Sequence, residues 1–158
     1  MEIERKFLID RFPDLPELMS AKVWQGYLST APVVRIRRAL LSDGSEHFEM
    51  TVKGKGTLVR AEVNIDITAE QYYEMEPLLT RELIFKDYHV YDLGNGLRLE
   101  CSIVDGDTDH GFSYAEVEFD SVEAAHAFVP PACLGKEVTE VPGFSMNSYW
   151  RNGRIVLD

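Results

Sequence analysis

Cysteine is scarce: Cys101 and Cys133 are the only two, far apart, with no CxxC and no metal-ligand spacing around them. That argues against a disulfide-stapled scaffold and a thiolate metal site. Both read as reduced, buried thiols, with a single disulfide between them as the alternative. Long apolar runs are lacking, so no segment is expected to span a bilayer. No signal peptide is expected, since Glu2 directly follows Met1, and the expected location is cytoplasmic. Positive charge is in deficit, with 16 Lys and Arg against 27 Asp and Glu, a net charge of -11. That balance argues against general binding of nucleic acid or an anionic membrane. Repeats, low-complexity tracts and internal linkers are lacking too. Residues 1–158 are therefore expected to form a single domain, large enough to bury a real core.

What is present is alternation. Residues 2–9, 22–29, 33–41, 46–53, 58–67, 82–92, 97–104 and 112–119 read as strands. Pro13 and Pro16 bracket a short turn or helix around 14–20. Asp43-Gly44 and Gly94-Asn95-Gly96 mark hairpin turns, and Gly54 and Gly56 another. Thr68 caps a helix running to about Leu79, with Gln71 completing a capping box. Ser121 starts a second helix, stopped at Pro130-Pro131, and a third covers 145–152 with Gly153 as its stop. This is an α+β pattern with a mostly antiparallel sheet. Its strand count suits a closed barrel or an open sheet.

Side chains along a strand alternate between faces, and here the faces segregate by charge. Glu2, Glu4 and Lys6 share one face; Ile3 and Phe7 take the other. Arg35 and Arg37 oppose Val34 and Ile36. Glu49, Thr51 and Lys53 oppose Phe48, Met50 and Val52. Arg60, Glu62, Asn64 and Asp66 oppose Ala61, Val63, Ile65 and Ile67. Arg98, Glu100 and Ser102 oppose Leu97, Leu99, Cys101 and Ile103. Glu116 and Glu118 oppose Ala115, Val117 and Phe119.

One explanation is the wet side of a one-layer sheet. Two details favour another. Like charges pair as Glu-x-Glu and Arg-x-Arg, and Arg and Glu dominate over Lys, which suits organised bidentate contacts. If the sheet closes, the charged face lines a lumen with acidic and basic walls. Neighbouring carboxylates attract hard divalent cations, and basic groups attract phosphates. A metal–polyphosphate ligand satisfies both walls, and it reconciles an acidic chain with an anionic ligand.

These segments resemble, in order, those of the CYTH family, the triphosphate tunnel metalloenzymes. Glu2-Ile3-Glu4-Arg5-Lys6 is similar to the family's ExExK signature, and Gln25-Gly26-Tyr27-Leu28 to its second strand. Arg35-Ile36-Arg37 resembles RxR, Thr51-Val52-Lys53-Gly54 resembles TxKG, Arg60-Ala61-Glu62 resembles RxE, and Glu116-Val117-Glu118 resembles the late ExE. The resemblance implies an eight-stranded antiparallel β-barrel with short helices packed outside, binding a small-molecule triphosphate with Mg²⁺ or Mn²⁺. It implies Glu2, Glu4, Glu62, Glu100, Glu116 and Glu118 as metal ligands or their supports. Lys6, Arg35, Arg37, Lys53, Arg60 and Lys86 would grip phosphates, and Glu4, Glu118 and Lys6 would serve catalysis.

Metal-dependent hydrolysis of inorganic triphosphate, or of a nucleoside or organic triphosphate, is the function so implied. A CYTH-type adenylyl cyclase and a non-catalytic polyphosphate- or nucleotide-binding module are the alternatives. A homodimer is compatible with either. Asn64, Tyr88 and Ser102 depart from the family pattern, replacing a Glu, an Arg and a carboxylate. Together they remove one positive and two negative charges, which favours the non-catalytic alternative.

Other signals are weaker. Asp105 to Glu116 resembles an EF-hand loop, but His110 stands where Gly is needed and strands flank it, so a polar hairpin turn is expected. Residues 53–57 lack P-loop spacing. The four His residues show no metal spacing, and Trp24 and Trp150 read as packing residues.

Overall fold

The computed structural model describes residues 1–156; residues 157 and 158 of the expected domain lie outside the described part. The strands are β1 (Glu2–Leu8), β2 (Glu17–Thr30), β3 (Val33–Leu41), β4 (Glu46–Lys53), β5 (Val59–Arg60), β6 (Glu62–Asp66), β7 (Ile84–Gly94), β8 (Leu97–Val104) and β9 (Phe112–Glu118). The helices are α1 (Ala69–Met75), α2 (Val122–Ala127) and α3 (Met146–Arg151), with a 3₁₀ turn after α1 (Glu76–Leu78). All strand pairings are antiparallel, in the order β5-β1-β9-β8-β7-β2-β3-β4-β6.

The two ends of that order are the same stretch of chain. Residues 58–67, expected as one strand, divide at Ala61. Val59 and Arg60 pair with β1, while Glu62–Asp66 pair with β4. The barrel therefore closes through a shared strand, and the sheet counts nine strands where eight were expected. Gly54 N donates to Ala61 O at 2.9 Å across the break.

Further along β1 the seam is completed by late chain. Leu8 N donates to Lys136 O and Val138 N to Lys6 O, each at 2.8 Å. A Cβ at Gly135 would lie 2.8 Å from Leu8 O, so the two backbones approach too closely for a side chain there.

The helix signals are realised locally. Thr68 Oγ1 accepts from Gln71 N, and Thr68 N donates to Gln71 Oε1. Ser121 and Ser145 cap α2 and α3. The stretch 14–20 is a correction: chain from Glu17 onward is strand, because Glu17–Ala21 finds β7 as a partner. The loop 105–111 is the hairpin turn expected in place of an EF-hand.

The oily backs of β8 and β9 (Leu99, Cys101, Ala115, Val117) are buried with Ala125 of α2. Tyr149 and Trp150 of α3 pack on Tyr27, Ile84, Val104 and Tyr114 beside one end of the barrel. The oily face is not covered everywhere, since Val63 and Ile65 of β6 are exposed. Cys101 is buried and free, its thiol pushed up to about 12 chiefly by burial. Cys133 is free but exposed, which corrects the expectation of two buried thiols.

Arg5 bolts the seam from outside. Its Nε donates to Glu137 Oε1 at 2.6 Å and a terminal nitrogen to Glu137 Oε2 at 2.8 Å. The other terminal nitrogen donates to the Ala125 and Phe128 carbonyls at the end of α2. Arg5→Ala leaves these acceptors without their donor, and the expected loss is about 2 kcal/mol of folding stability. A lowered urea midpoint with an unchanged slope is the readout.

Candidate active site

Register carries the charged faces inward and sets which charges meet. Glu4 faces Glu118, Lys6 faces Glu116, and Glu100 faces Glu116, so β1, β9 and β8 form one acidic wall. Glu2 faces Arg60, and Lys53 faces Glu62. Lys6, Arg35, Arg37, Lys53, Arg60 and Lys86 all line one cavity of about 70 Å³, together with Glu100 and Glu116. It is the narrow waist of the barrel, between a wider mouth of about 670 Å³ on the α3 side and another of about 550 Å³ at the opposite end.

The remaining carboxylates border that waist. Glu2 and Glu4 are buried, Glu62 is half-buried, and Glu118 is exposed and lines the far mouth.

Opposite charges are matched. Lys53 Nζ lies 3.1 Å from Glu2 Oε2 and 3.2 Å from Glu62 Oε2. Arg60 Nε lies 3.0 Å from Glu2 Oε1. Lys6 Nζ approaches Glu4 Oε1 at 3.2 Å, yet that buried oxygen has no aligned hydrogen-bond donor. Burial first, then the Glu116 charge, raises Glu4 to about 9. Burial also pushes at Glu116, but Lys6, Glu4, Lys86 and Lys53 overcome it and hold its carboxyl below the ordinary range. Burial and the Glu116 charge raise Glu100. Burial and Glu62 raise Glu118. Glu4, Glu100 and Glu118 resist ionisation around a charged Glu116, which suits the wall to added positive charge, and the poorly satisfied Glu4 oxygen is a fitting ligand atom for a divalent cation.

The ligand atoms of the six expected metal residues do not gather into one tight group. Among the described residues, only His47, Glu49 and Asp66 bring three such atoms within 4.8 Å of one another, at the exposed ends of β4 and β6. Glu49 is also held by Arg35 at 3.3 Å.

On the basic side, Lys86 is buried and donates to Tyr114 Oη at 2.6 Å. Burial drives its ammonium well below the usual lysine value, Arg37 and Arg35 adding to the effect of burial against the pull of Glu116.

The three departures have a structural logic. Tyr88 and Ser102 are direct cross-strand partners. An expected cation and an expected carboxylate are thus exchanged together for a neutral pair, leaving the local charge balance unchanged. Tyr88 Oη donates to Glu100, and Arg37 stacks over its ring at 5.1 Å. Asn64 Nδ2 donates to Glu62 Oε1 at 2.7 Å and Oδ1 accepts from Thr51, so it positions a carboxylate where a second one was expected.

Sequence reasoning missed several residues at the waist. Gln25 faces Arg37 across β2–β3, fully buried, with an unpartnered Oε1. Tyr114 shares the parity of Glu116 and Glu118 and could have been read from it, whereas Tyr27 lies on a strand with no such charged series. Ser145 and Asn147 of the α3 region also line the cavity, and no periodicity signals them.

A closed antiparallel barrel with charge inside and oil outside is a tunnel protein, built to hold a compact, highly charged ligand. No family model matches the chain. It is 40% identical over 139 residues to an inorganic triphosphatase of Nitrosomonas europaea, a match covering 88% of this chain and 89% of that protein. The crystal structure of the inorganic triphosphatase NE1496 superposes with a TM-score of 0.64 at 31% identity, covering 94% of this chain and 93% of that one. A Hippeastrum protein, HpAC1, proposed as an adenylyl cyclase and described as showing a dominant triphosphatase activity, shares the fold: TM-score 0.64, 13% identity, 99% and 98% covered. The chain belongs to the CYTH family.

Glu4→Gln tests the cost of the acidic wall. The folded-state value of about 9 lies above the ordinary 4.5, so the folded protein retains a proton that the unfolded chain releases. The stability cost opens as pH rises past about 4.5 and levels off near 9. Glutamine cannot ionise in either state. The metal-free variant is expected to be more stable than the parent by on the order of 2 kcal/mol at neutral pH, with the gap closing in acid. Denaturation curves across that range check this.

Proposed function

We propose that the chain is a divalent-metal-dependent triphosphatase that hydrolyses inorganic triphosphate inside the barrel. The observation that carries this is the convergence of six cationic side chains on one narrow cavity, bordered by the carboxylates of β1, β8 and β9. The similarity to a named inorganic triphosphatase supports the same substrate. No helix of the described residues is long and apolar enough to cross a membrane.

Phosphoryl transfer needs positioning and charge neutralisation more than covalent help. Arg35, Arg37, Lys53 and Arg60 bind the equatorial oxygens of the chain. Phosphate beside Lys86 favours its charged form against the effect of burial. Lys6 neutralises charge on the leaving oxygen. Glu4, Glu116 and Glu118 would hold Mg²⁺ or Mn²⁺, with Glu2, Glu62 and Glu100 as supports. Such an ion supplies Lewis-acid neutralisation of the phosphate oxygens. A water oxygen bonds to the terminal phosphorus, the bridging P–O bond breaks, and orthophosphate and pyrophosphate leave with the water's two protons shared between them.

Ion pairs such as Lys53–Glu2 must be exchanged for ligand contacts on binding. The basic and acidic walls satisfy one another beforehand, so neither is left as uncompensated buried charge.

Phosphate release from tripolyphosphate, pyrophosphate, ATP and thiamine triphosphate, with each metal, is the direct test. Tripolyphosphate is expected to lead, and chelation is expected to stop turnover. Release of cyclic AMP and pyrophosphate from ATP would indicate the cyclase. Binding of tripolyphosphate without turnover would indicate the non-catalytic module. Glu4→Gln and Glu118→Ala are expected to abolish metal-dependent release, and Arg37→Ala to lower kcat/KM by about 100-fold. Full activity in both carboxylate variants would remove the proposed metal site.

A further inference from the structure

The waist and the far mouth share two lining residues, Tyr88 and Glu100. The Tyr88 hydroxyl is bonded to Glu100, and its ring lies beneath Arg37. Together these two side chains form a partition across the lumen.

The chemistry of the lumen changes at that partition. On the α3 side stand the six cations. Level with it, β2 and β3 present Ala21, Val23 and Ala39, a buried apolar cluster on which Met19, Leu41 and Tyr88 pack, and past it the far mouth is lined by Met19 and Val90. Just beyond β9 the far mouth adds Asp120, next to Glu118, whose carboxylate is committed to the proposed metal, with Arg98 as the cation among the far-mouth lining residues. A phosphate pushed through would leave its arginines and meet methyl groups and carboxylates. The α3-side mouth is different: it shares Lys6, Lys53 and Arg60 with the waist and adds Lys55 and Arg151.

We propose that Tyr88, held in place by Glu100, is the end-stop of the phosphate-binding stretch, so that substrate enters from the α3 side and chains longer than triphosphate are rejected. This rests on the triphosphatase reading and makes Tyr88 a residue that sets substrate length. An anionic chain that outgrows its subsites must bury a phosphate among apolar and acidic groups, which is costly.

The test compares tripolyphosphate with linear tetrapolyphosphate in the parent protein, Tyr88→Ala and Tyr88→Phe, with Mg²⁺. The parent is expected to favour triphosphate in kcat/KM by about tenfold or more, and Tyr88→Ala to bring the two within about twofold. Tyr88→Phe, which keeps the ring and loses the Glu100 bond, is expected to fall between.

A parent that takes both chains equally overturns the end-stop. So does a folded Tyr88→Ala with an unchanged ratio. If Tyr88→Ala does not fold, the parent ratio and Tyr88→Phe decide in the same way. If nothing is hydrolysed, the triphosphatase reading fails by itself. Calorimetric affinities for the two chains then give the ratio that keeps or removes the end-stop.

Discussion

Closure of the sheet through one shared strand is the constraint on which everything else depends. Residues 59–66 pair with β1 on one side and β4 on the other, changing partners at Ala61. An open sheet would leave the charged face in water, where like charges are screened and inexpensive. Closing it puts Glu2, Glu4, Lys6, Lys53, Arg60 and Glu116 within a few ångströms of one another. The register sets some of these charges against opposite ones, as in the Arg60–Glu2 and Lys53–Glu62 pairs, and leaves others, Glu4–Glu118 and Glu100–Glu116, facing their like. A fold of this kind stores its binding site as a set of internal ion pairs.

The price is visible in the acidic wall. Burial and crowding make Glu4, Glu100 and Glu118 reluctant to ionise, above all Glu4, while Glu116 alone among the four is held charged by its lysine neighbours. The same feature that costs stability suits the wall to a cation, and the stability of the protein and its chemistry draw on the same side chains. The basic wall is the mirror image, with Lys86 driven towards neutrality by burial and by its arginine neighbours.

Much of this was legible in the sequence because a strand's period of two writes the inside and the outside directly into alternate residues. The polar and oily sets could be assigned before any coordinates, and Thr68 and Ser121 marked the starts of the first two helices. What could not be read is whatever depends on which strands meet. Nothing local announces that Tyr88 stands across from Ser102, so two departures that looked like separate losses of charge are one balanced exchange. The break at Ala61 was hidden because both halves of 58–67 keep the same alternation. The strand at Glu17 was hidden because Pro13 and Pro16 suggest a turn and only the distant β7 supplies a partner. Asn147 enters the site from a terminal helix that no spacing rule connects to a strand face.

The position of β1 has a consequence for how the protein is made. Its edges are satisfied by β9 and by 135–138, and Arg5 meets Glu137 at a separation of 132 residues. β1 therefore leaves the ribosome well before most of its partners have been made. Until then an acidic strand with one oily face waits unpaired while the β2–β3–β4 hairpins form from near neighbours. Such long-range pairing folds slowly, and the charges of Glu2, Glu4 and Lys6 help keep the waiting strand in solution rather than against another chain.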